Sequence, residues 1–312
     1  MDFGAHLPLM DFGGNPYTLD HLIGYTKTVE RLGFAAVSVN DHLVFSVPWL
    51  DGPTALAAVL EHTGSMDLAT TVALPVVRGP VPVAKAFGAL DRLSGGRVVL
   101  AVGPGSSARD YEALGIDFEE RWKRLDEAIE TIRGLWSSEA DESFVGRFYS
   151  SHDIDLQPRP FRPGGPPIWV GSWGSEAGLR RAARLADGWL ASAYNTTPDG
   201  FASAWQRLGE LLEDRGRDAG DYPNGLATMW FHITDDPAEA ERVYTERLMP
   251  TINRPEEVIR DRLPVGSPEQ VGEKLIAYRD AGVQRVYLWP VTDEVSQMER
   301  FDEEVAPLVN RA

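Results

Sequence analysis

One stretch, residues 167–192, limits most strongly what this chain can fold into. It opens with a short apolar run at 168–170, turns at 171–175 and continues with apolar residues three, four and seven positions apart. That spacing predicts an amphipathic helix, which Asp187 and Gly188 would end before a second apolar run at 189–191. The stretch is therefore predicted to be a strand, a helix and a strand, the unit from which parallel sheets are built.

The turn at 171–175 is also a candidate binding site. It carries Gly171 and Gly174 and leads directly into the predicted helix. A helix start leaves backbone N–H groups unpaired, and these attract phosphate. The alternative is that the two glycines only permit a tight turn, and the turn alone does not decide between these interpretations.

The alternation of strand and helix repeats along the whole chain. Strands are predicted at residues 3–7, 34–39, 68–74, 98–102, 168–170, 189–191, 226–233 and 283–289. Eight such units predict an α/β protein with a (β/α)8 TIM barrel. A doubly wound open sheet is the alternative, but its G-x-G-x-x-G fingerprint is missing near the N-terminus.

One domain, residues 1–312, is expected, because no linker divides the chain. The helix predicted at 119–136 is followed at 137–166 by acidic, Gly- and Pro-rich sequence, which we interpret as an inserted excursion that includes a short hairpin. Two helix starts carry capping-box patterns, Asp117 with Glu120 and Ser267 with Gln270.

Composition excludes several classes of function. The formal net charge of −17 argues against a nucleic-acid partner, and the absence of cysteine removes disulfides, thiolate nucleophiles and cysteine-based metal sites. No apolar run is long enough to span a bilayer, and the first residues show no basic segment or signal core. A cytoplasmic protein without a membrane or nucleic-acid partner is expected.

In a barrel, chemistry gathers at the carboxyl ends of the strands. These ends carry His6, then Asn40, Asp41 and His42, and then the segments 71–74, 103–106 and 171–175. His42 has a side chain suited to proton transfer near neutral pH, and a carboxylate such as Asp41 could orient it. Adjacent strand residues point to opposite faces, however, so contact between the two is not assumed, and a structural role for His42 stays open. His6 is expected to be a buried core residue.

Other kinds of site have little support in the sequence. The histidines show no metal-binding spacing and there is no G-x-S-x-G elbow, so neither a metal site nor a hydrolase triad is expected. Aromatic residues near the strand ends, with the phosphate turn, favour a phosphorylated, ring-bearing ligand. Arg78 and Arg109 are candidates to bind an anionic ligand, although both could equally be surface charges.

At this point the sequence resembles a known family, the luciferase-like monooxygenase superfamily of flavin- and deazaflavin-dependent oxidoreductases, over essentially the whole chain. The matching blocks are residues 31–34 (RLGF), 40–42 (NDH), 91–97 (DRLSGGR), 168–171 (IWVG), 187–189 (DGW) and 281–283 (AGV). Each block alone is weak, but together they are specific. The resemblance implies a barrel with an insertion, a homodimer, and a cofactor that is FMN or coenzyme F420.

The resemblance also implies roles for particular residues at the strand ends. Trp173, Gly174 and Ser175 would hold the cofactor phosphate. Thr71 and Val72 lie where many members carry a non-prolyl cis peptide beside the ring. The cofactor-binding residues expected on the resemblance and the strand-end positions together are Asp41, Thr71, Val72, Gly103, Gly105, Ser106, Trp173, Gly174 and Ser175.

The pair Asp41 and His42 resembles the deazaflavin-dependent members, with Asp41 holding polar atoms of the ring and His42 acting beside its hydride-accepting carbon. Coenzyme F420 is therefore favoured over FMN. Ser106 departs from the glutamate that some deazaflavin dehydrogenases carry after the strand-four glycine, which leaves the small organic substrate open. The alternatives are an FMN monooxygenase supplied by a separate flavin reductase, or a non-catalytic flavin-binding protein.

Overall fold

The described part of the chain forms a parallel barrel. A computed structural model describes residues 1–12, 17–137 and 143–311. Its strands are β1 (Asp2–His6), β2 (Ala36–Val39), β3 (Asp67–Thr70), β4 (Val98–Val102), β5 (Ile168–Gly171), β6 (Gly188–Ser192), β7 (Asn224–Ile233), β8 (Val265–Gly266) and β9 (Arg285–Pro290). Successive pairs from β1 to β7 are parallel, and the ring closes because β9 pairs in parallel with both β7 and β1. The predicted TIM barrel is confirmed, and the open-sheet alternative is wrong.

Helices follow the strands and cover the outside of the barrel. They are α1 (Leu19–Arg31), α2 (Gly52–Val59), α3 (Pro75–Arg78), α4 (Pro80–Ser94), α5 (Ala108–Glu112), α6 (Arg121–Trp136), α7 (Glu176–Leu185), α8 (Pro198–Glu213), α9 (Pro237–Arg242), α10 (Met249–Thr251), α11 (Glu256–Arg262), α12 (Pro268–Asp280), α13 (Glu294–Arg300) and α14 (Ala306–Arg311). The capping box of Ser267 and Gln270 is present at α12. The other predicted box is wrong, because Asp117 accepts its hydrogen bond from Glu119 N in a short 3₁₀ turn. In the described residues, no helix is long and apolar enough to cross a membrane.

The barrel interior is filled by side chains that alternate along the strands. Tyr287 and Trp169 are its largest members, and both are buried. Each ring lies against a neighbouring strand where glycine provides room: a Cβ on Gly4 would lie 2.6 Å from the Tyr287 ring, and one on Gly188 would lie 2.5 Å from Trp169. The interior is therefore a packed core, and the space for a ligand lies at the carboxyl end of the strands.

Two parts of the fold differ from the sequence prediction. β8 is a ninth strand of two residues, which the apolar pattern did not indicate, and it extends the sheet beside the end of β7. Part of the excursion at 137–166 lies outside the described residues. In the rest, the predicted hairpin is a single antiparallel bridge between Val145 and Ser150. Arg162 fixes this segment to α4 by binding the fully buried carboxylate of Asp91.

Candidate active site at the carboxyl ends of the strands

A cavity of about 450 Å³ lies at the carboxyl ends of the barrel strands. Of the residues predicted from the sequence, those that line it are Asp41, His42, Thr71, Val72, Gly103, Gly105, Ser106, Trp173 and Ser175. Gly174 belongs to the same turn but is not among the lining residues. The ends of four strands, β2 to β5, thus bring residues from distant parts of the sequence to one place, as the barrel topology predicts.

His42 is oriented by a carboxylate that the sequence analysis did not identify. Its Nδ1 lies 2.9 Å from Oδ2 of Asp110, which is in α5 and almost fully buried. The other oxygen, Oδ1, accepts hydrogen bonds from the backbone N–H groups of Leu43 and Val44, at 2.9 and 2.7 Å. Asp110 therefore holds both the imidazole ring and the loop that follows it.

The charge state of Asp110 fixes the proton on His42. Burial alone would raise the pKa of Asp110, but hydrogen bonds from His42, Val44 and Leu43 outweigh this effect and lower it. The carboxylate is thus ionised at neutral pH and accepts a hydrogen bond from the N–H at Nδ1. In the neutral ring, Nε2 then carries the free lone pair, as a general base requires.

Aromatic rings form the wall beside His42. The Phe45 and Trp49 ring centroids lie 4.5 and 4.9 Å from the imidazole centroid. These rings restrict the movement of His42 and exclude water from one of its sides.

Asp41 points away from Asp110 and binds Arg78. The guanidinium donates two hydrogen bonds of 2.6 Å to the Asp41 carboxylate, and Leu74 N donates a third at 3.2 Å. Arg78 also pairs with Asp51. Burial would lower the pKa of Arg78, but its bonds to Asp41 and Asp51 outweigh burial and raise it. The prediction that Arg78 binds an anionic ligand finds no support, because two carboxylates already hold the guanidinium.

The turn at 171–175 has the geometry of an anion site. Ser175 caps α7, accepting a hydrogen bond from Gly178 N, and Gly174 has a positive φ of 88°. The first turn of a helix directs N–H groups and a partial positive charge at this point. Glu176 would oppose an anion here, but its carboxylate is bound by Arg207 and Arg180. Hydrogen bonds from Arg207 are the largest cause that lowers its pKa, to about 2.

The peptide between Thr71 and Val72 is cis, as expected at this position. Val72 projects between two glycines. A Cβ on either Gly103 or Gly171 would lie 2.8 Å from a Val72 methyl group. The two glycines therefore leave room for Val72 to form the floor of the cavity.

His6 lies beneath the cavity as a core residue, in agreement with the sequence interpretation. Its ring is stacked on Trp289 with centroids 3.6 Å apart, and Nδ1 lies 2.7 Å from the carbonyl of Leu7. Burial is the main cause that lowers the pKa of His6 from 6.5 to about 3. The ring is neutral throughout the physiological pH range.

Replacing His6 with phenylalanine is expected to make folding stability less sensitive to acid. Between about pH 6.5 and pH 3 the unfolded chain binds a proton at His6 that the folded chain excludes, so the free energy of unfolding falls as pH falls. One such proton gives a slope of up to about 1.4 kcal/mol per pH unit. Phenylalanine keeps the stacking on Trp289 and removes the titration. Urea unfolding at several pH values measures both slopes, and equal slopes would contradict the assignment.

Comparison with known proteins identifies the family. A family model described as luciferase-like monooxygenase matches residues 3–253. The chain belongs to this family. An F420-dependent glucose-6-phosphate dehydrogenase from Segniliparus rotundus is 28% identical to this luciferase-like protein, over 92% of each chain.

Solved structures show the same fold. An F420-dependent secondary alcohol dehydrogenase, in complex with an F420-acetone adduct, superposes with a TM-score of 0.81 at 20% identity, over 99% of both chains. A monooxygenase from Streptomyces bottropensis gives a TM-score of 0.84 at 21% identity, over 98% of this chain and 99% of the other. The family assignment made from the motif blocks is confirmed.

Several residues of this luciferase-like site were not found by sequence reasoning. Asp110 lies 68 positions from His42, in a loop whose path no local pattern predicts. Phe118 in the turn before α6, with Arg121 and Trp122 at the start of that helix, also lines the cavity, whereas the sequence predicted only a helix here. Arg109, predicted as a cation for the ligand, is exposed and is not among the lining residues.

Proposed function

We propose that this protein is an oxidoreductase that uses coenzyme F420 to transfer a hydride to or from a small organic substrate in the cavity. The observation that carries the proposal is the pair of His42 and Asp110 at a cavity whose other end is a helix N-terminus. The relative from Segniliparus rotundus is named for F420, which supports this cofactor. The chemistry requires a proton-transfer group and an anion site, and the proposal assigns these roles to His42 and to the first turn of α7.

The residues present fit a phosphorylated ring. Ser175 and the first turn of α7 offer N–H groups to a phosphate. Val72 and Leu74, with Gly103 after β4 and Gly171 in β5, offer an apolar floor. Asp41 reaches the cavity edge with its carboxylate already bound to Arg78 and Leu74 N. We therefore propose that Asp41 fixes the shape of the binding site through these bonds, and that any contact with polar atoms of the ring uses its remaining lone pairs.

His42 is proposed to move the proton. Its Nε2 accepts the proton of a substrate hydroxyl when an alcohol is oxidised and returns it when a carbonyl is reduced, while Asp110 stabilises the imidazolium. The bound deazaflavin supplies the hydride chemistry, because it has carbon where FMN has the reactive nitrogen and reacts poorly with oxygen. Phe45 and Trp49 keep water from one side of His42.

The proposal is tested by anaerobic turnover. The protein is incubated with oxidised F420 and a panel of alcohols, and separately with reduced F420 and the matching ketones and enones, while the deazaflavin absorbance is followed. We expect an enzyme-dependent change with at least one compound class. Oxygen-dependent product from reduced FMN, with no change in either F420 reaction, would support the monooxygenase alternative instead.

Replacing Gly174 with aspartate is expected to abolish F420 binding, because it places a carboxylate at the proposed phosphate site. The matched control is Gly174→Asn, which has the same shape and the same positive φ without the charge. Fluorescence titration with F420 measures both affinities. If the asparagine variant loses binding as completely as the aspartate variant, backbone strain is the cause; if both retain it, the phosphate binds elsewhere.

A homodimer, a separate F420 or flavin reductase and a cytoplasmic location are further parts of the proposal, made on the family resemblance and the cysteine-free composition. Light scattering on the purified protein tests the first of these, with a monomer mass as the contradicting result.

A further inference from the structure

Two hydroxyl side chains that line the cavity lie on the side opposite His42. Ser192 ends β6, Thr228 lies within β7, and their Oγ atoms are 2.8 Å apart. In the ring of eight barrel strands, β6 is four steps from β2, which precedes His42. The His42 chemistry leaves these hydroxyls without a role.

The direction of the hydrogen bonds between Arg254 and Ala227 is fixed from both ends. Arg254 can only donate, and it binds Oδ1 of Asn195 at 2.8 and 3.2 Å. The amide of Asn195 must then present Nδ2 to Ser192 Oγ, at 2.9 Å. At the other end, the carbonyl of Ala227 can only accept, so Thr228 donates its one proton to it at 2.7 Å, and Ser192 is left to donate to Thr228.

The direction of these hydrogen bonds determines which ligand groups Ser192 and Thr228 can bind. Ser192 Oγ accepts one hydrogen bond and donates one, and the same holds for Thr228 Oγ1. Both protons are used within the protein, and each oxygen keeps one lone pair. The two hydroxyls are therefore acceptors toward a ligand, and the group that fits them is a donor such as O–H.

The backbone at Thr228 supports a ligand-binding role independently. Thr228 has a φ of 57°, and the register of β7 against β9 shifts between Leu226 and Met229. A β-branched residue in the left-handed region is strained, and bulges of this kind re-aim side chains beside active sites. This backbone conformation places Thr228 at the cavity wall.

Arg254, at the end of these hydrogen bonds, is not paired with a carboxylate of the described chain. In the described residues, no carboxylate lies within ion-pair distance of Arg254. Its guanidinium is instead 5.4 Å from the ring centroid of Trp173 and 5.8 Å from that of Tyr194. The guanidinium, held near these two rings, directs its Nε and Nη2 donors at Asn195, while Nη1 donates to the carbonyl of Asn253.

We propose that Ser192 and Thr228 bind a hydroxyl group of the ligand purely as hydrogen-bond acceptors, with Arg254 as a positioning residue that acts through Asn195. This inference rests on the proposed function. The hydroxyl is not the one that reacts at His42, because that group lies across the barrel. It belongs either to the polyhydroxylated chain of the cofactor or to a second hydroxyl of the substrate.

The test compares Thr228→Val with Thr228→Ser. Valine keeps the branched shape and the backbone strain but removes the acceptor, whereas serine keeps the acceptor. The F420 dissociation constant is measured by fluorescence, and KM and kcat are measured with an alcohol identified in the anaerobic panel. We expect Thr228→Val to raise either the F420 dissociation constant or the KM by about tenfold, with little change in kcat. Thr228→Ser should keep the wild-type values.

Which of the two values changes, the F420 dissociation constant or the KM, shows which molecule carries the hydroxyl. A weaker F420 affinity assigns it to the cofactor, and a higher KM assigns it to the substrate. Unchanged constants in a folded Thr228→Val variant would overturn the proposal, and Ser192→Ala gives a second reading if Thr228→Val does not fold. A wild-type protein that does not bind F420 contradicts the proposed function itself, which is a distinct result.

The positioning role of Arg254 has its own readout. Arg254→Met is expected to raise the same quantity, the F420 dissociation constant or the KM, by about threefold in the wild-type background. Asn195 can then turn its Oδ1 to Ser192 and accept the hydrogen bond that Ser192 otherwise donates to Thr228. In the Thr228→Val background Arg254→Met should have no further effect. Equal effects in the two backgrounds would show that Arg254 acts independently and would overturn this part of the proposal.

Discussion

Replacing His42 with alanine is expected to lower turnover by at least about tenfold, with little change in F420 affinity, because general acid–base groups contribute about 10²–10⁴-fold. His42 lines the cavity and is held by Asp110, so it is placed for proton transfer. Steady-state turnover with a verified substrate and fluorescence titration with F420 separate the two effects. The matched control is His152→Ala, an exposed histidine of the excursion, which should leave both unchanged.

A second variant, Asp110→Asn, tests how Asp110 contributes to turnover. Asp110→Asn keeps an oxygen for the N–H groups of Leu43 and Val44 but presents an amide N–H to His42 Nδ1. The imidazole must then carry its proton on Nε2, where it cannot act as a base. Turnover should fall, and combining this change with His42→Ala should add little. Unchanged turnover in His42→Ala would refute the catalytic role, and additive losses would mean that Asp110 acts by another route.

Replacing Arg78 with methionine is expected to destabilise the fold by about 3–5 kcal/mol, since it leaves a buried carboxylate without its partner. Asp41 is 3% exposed, and its two closest hydrogen bonds come from this guanidinium. Urea unfolding measures the free-energy change.

Two controls separate charge from packing in this prediction. Arg31→Met removes an exposed pair with Glu299 and should cost less than about 1 kcal/mol. The double variant Arg78→Met with Asp41→Asn should be more stable than Arg78→Met alone, because the buried charge is gone. A double variant that is no more stable would show that the aliphatic packing of Arg78, and not the ion pair, carries the effect.

The barrel could be predicted because its signals are local. Continuous apolar runs such as β4, with glycine and polar residues at their ends, repeat with helical segments between them, and each repeat can be recognised alone. The site was predictable only as far as it lies at strand ends. His42, Val72 and Ser175 follow their strands directly, so the topology brings them to one cavity.

The partners of these residues could not be predicted, because they depend on loop paths. Asp41 and His42 are neighbours in sequence, yet one binds Arg78 and the other binds Asp110. The alternation of strand side chains indicated that the two point apart but did not name either partner. The bulge at Thr228 could not be predicted either. Nothing in the composition of an apolar strand indicates that one of its residues has a left-handed backbone.

The use of coenzyme F420 is tested most directly by equilibrium binding of the purified protein to coenzyme F420 and to FMN, each oxidised and reduced, followed by fluorescence. We expect a preference for the deazaflavin, with a dissociation constant in the micromolar range or below. Tight binding of reduced FMN, without binding of F420 in either state, would contradict it and assign the protein to the FMN-dependent monooxygenases.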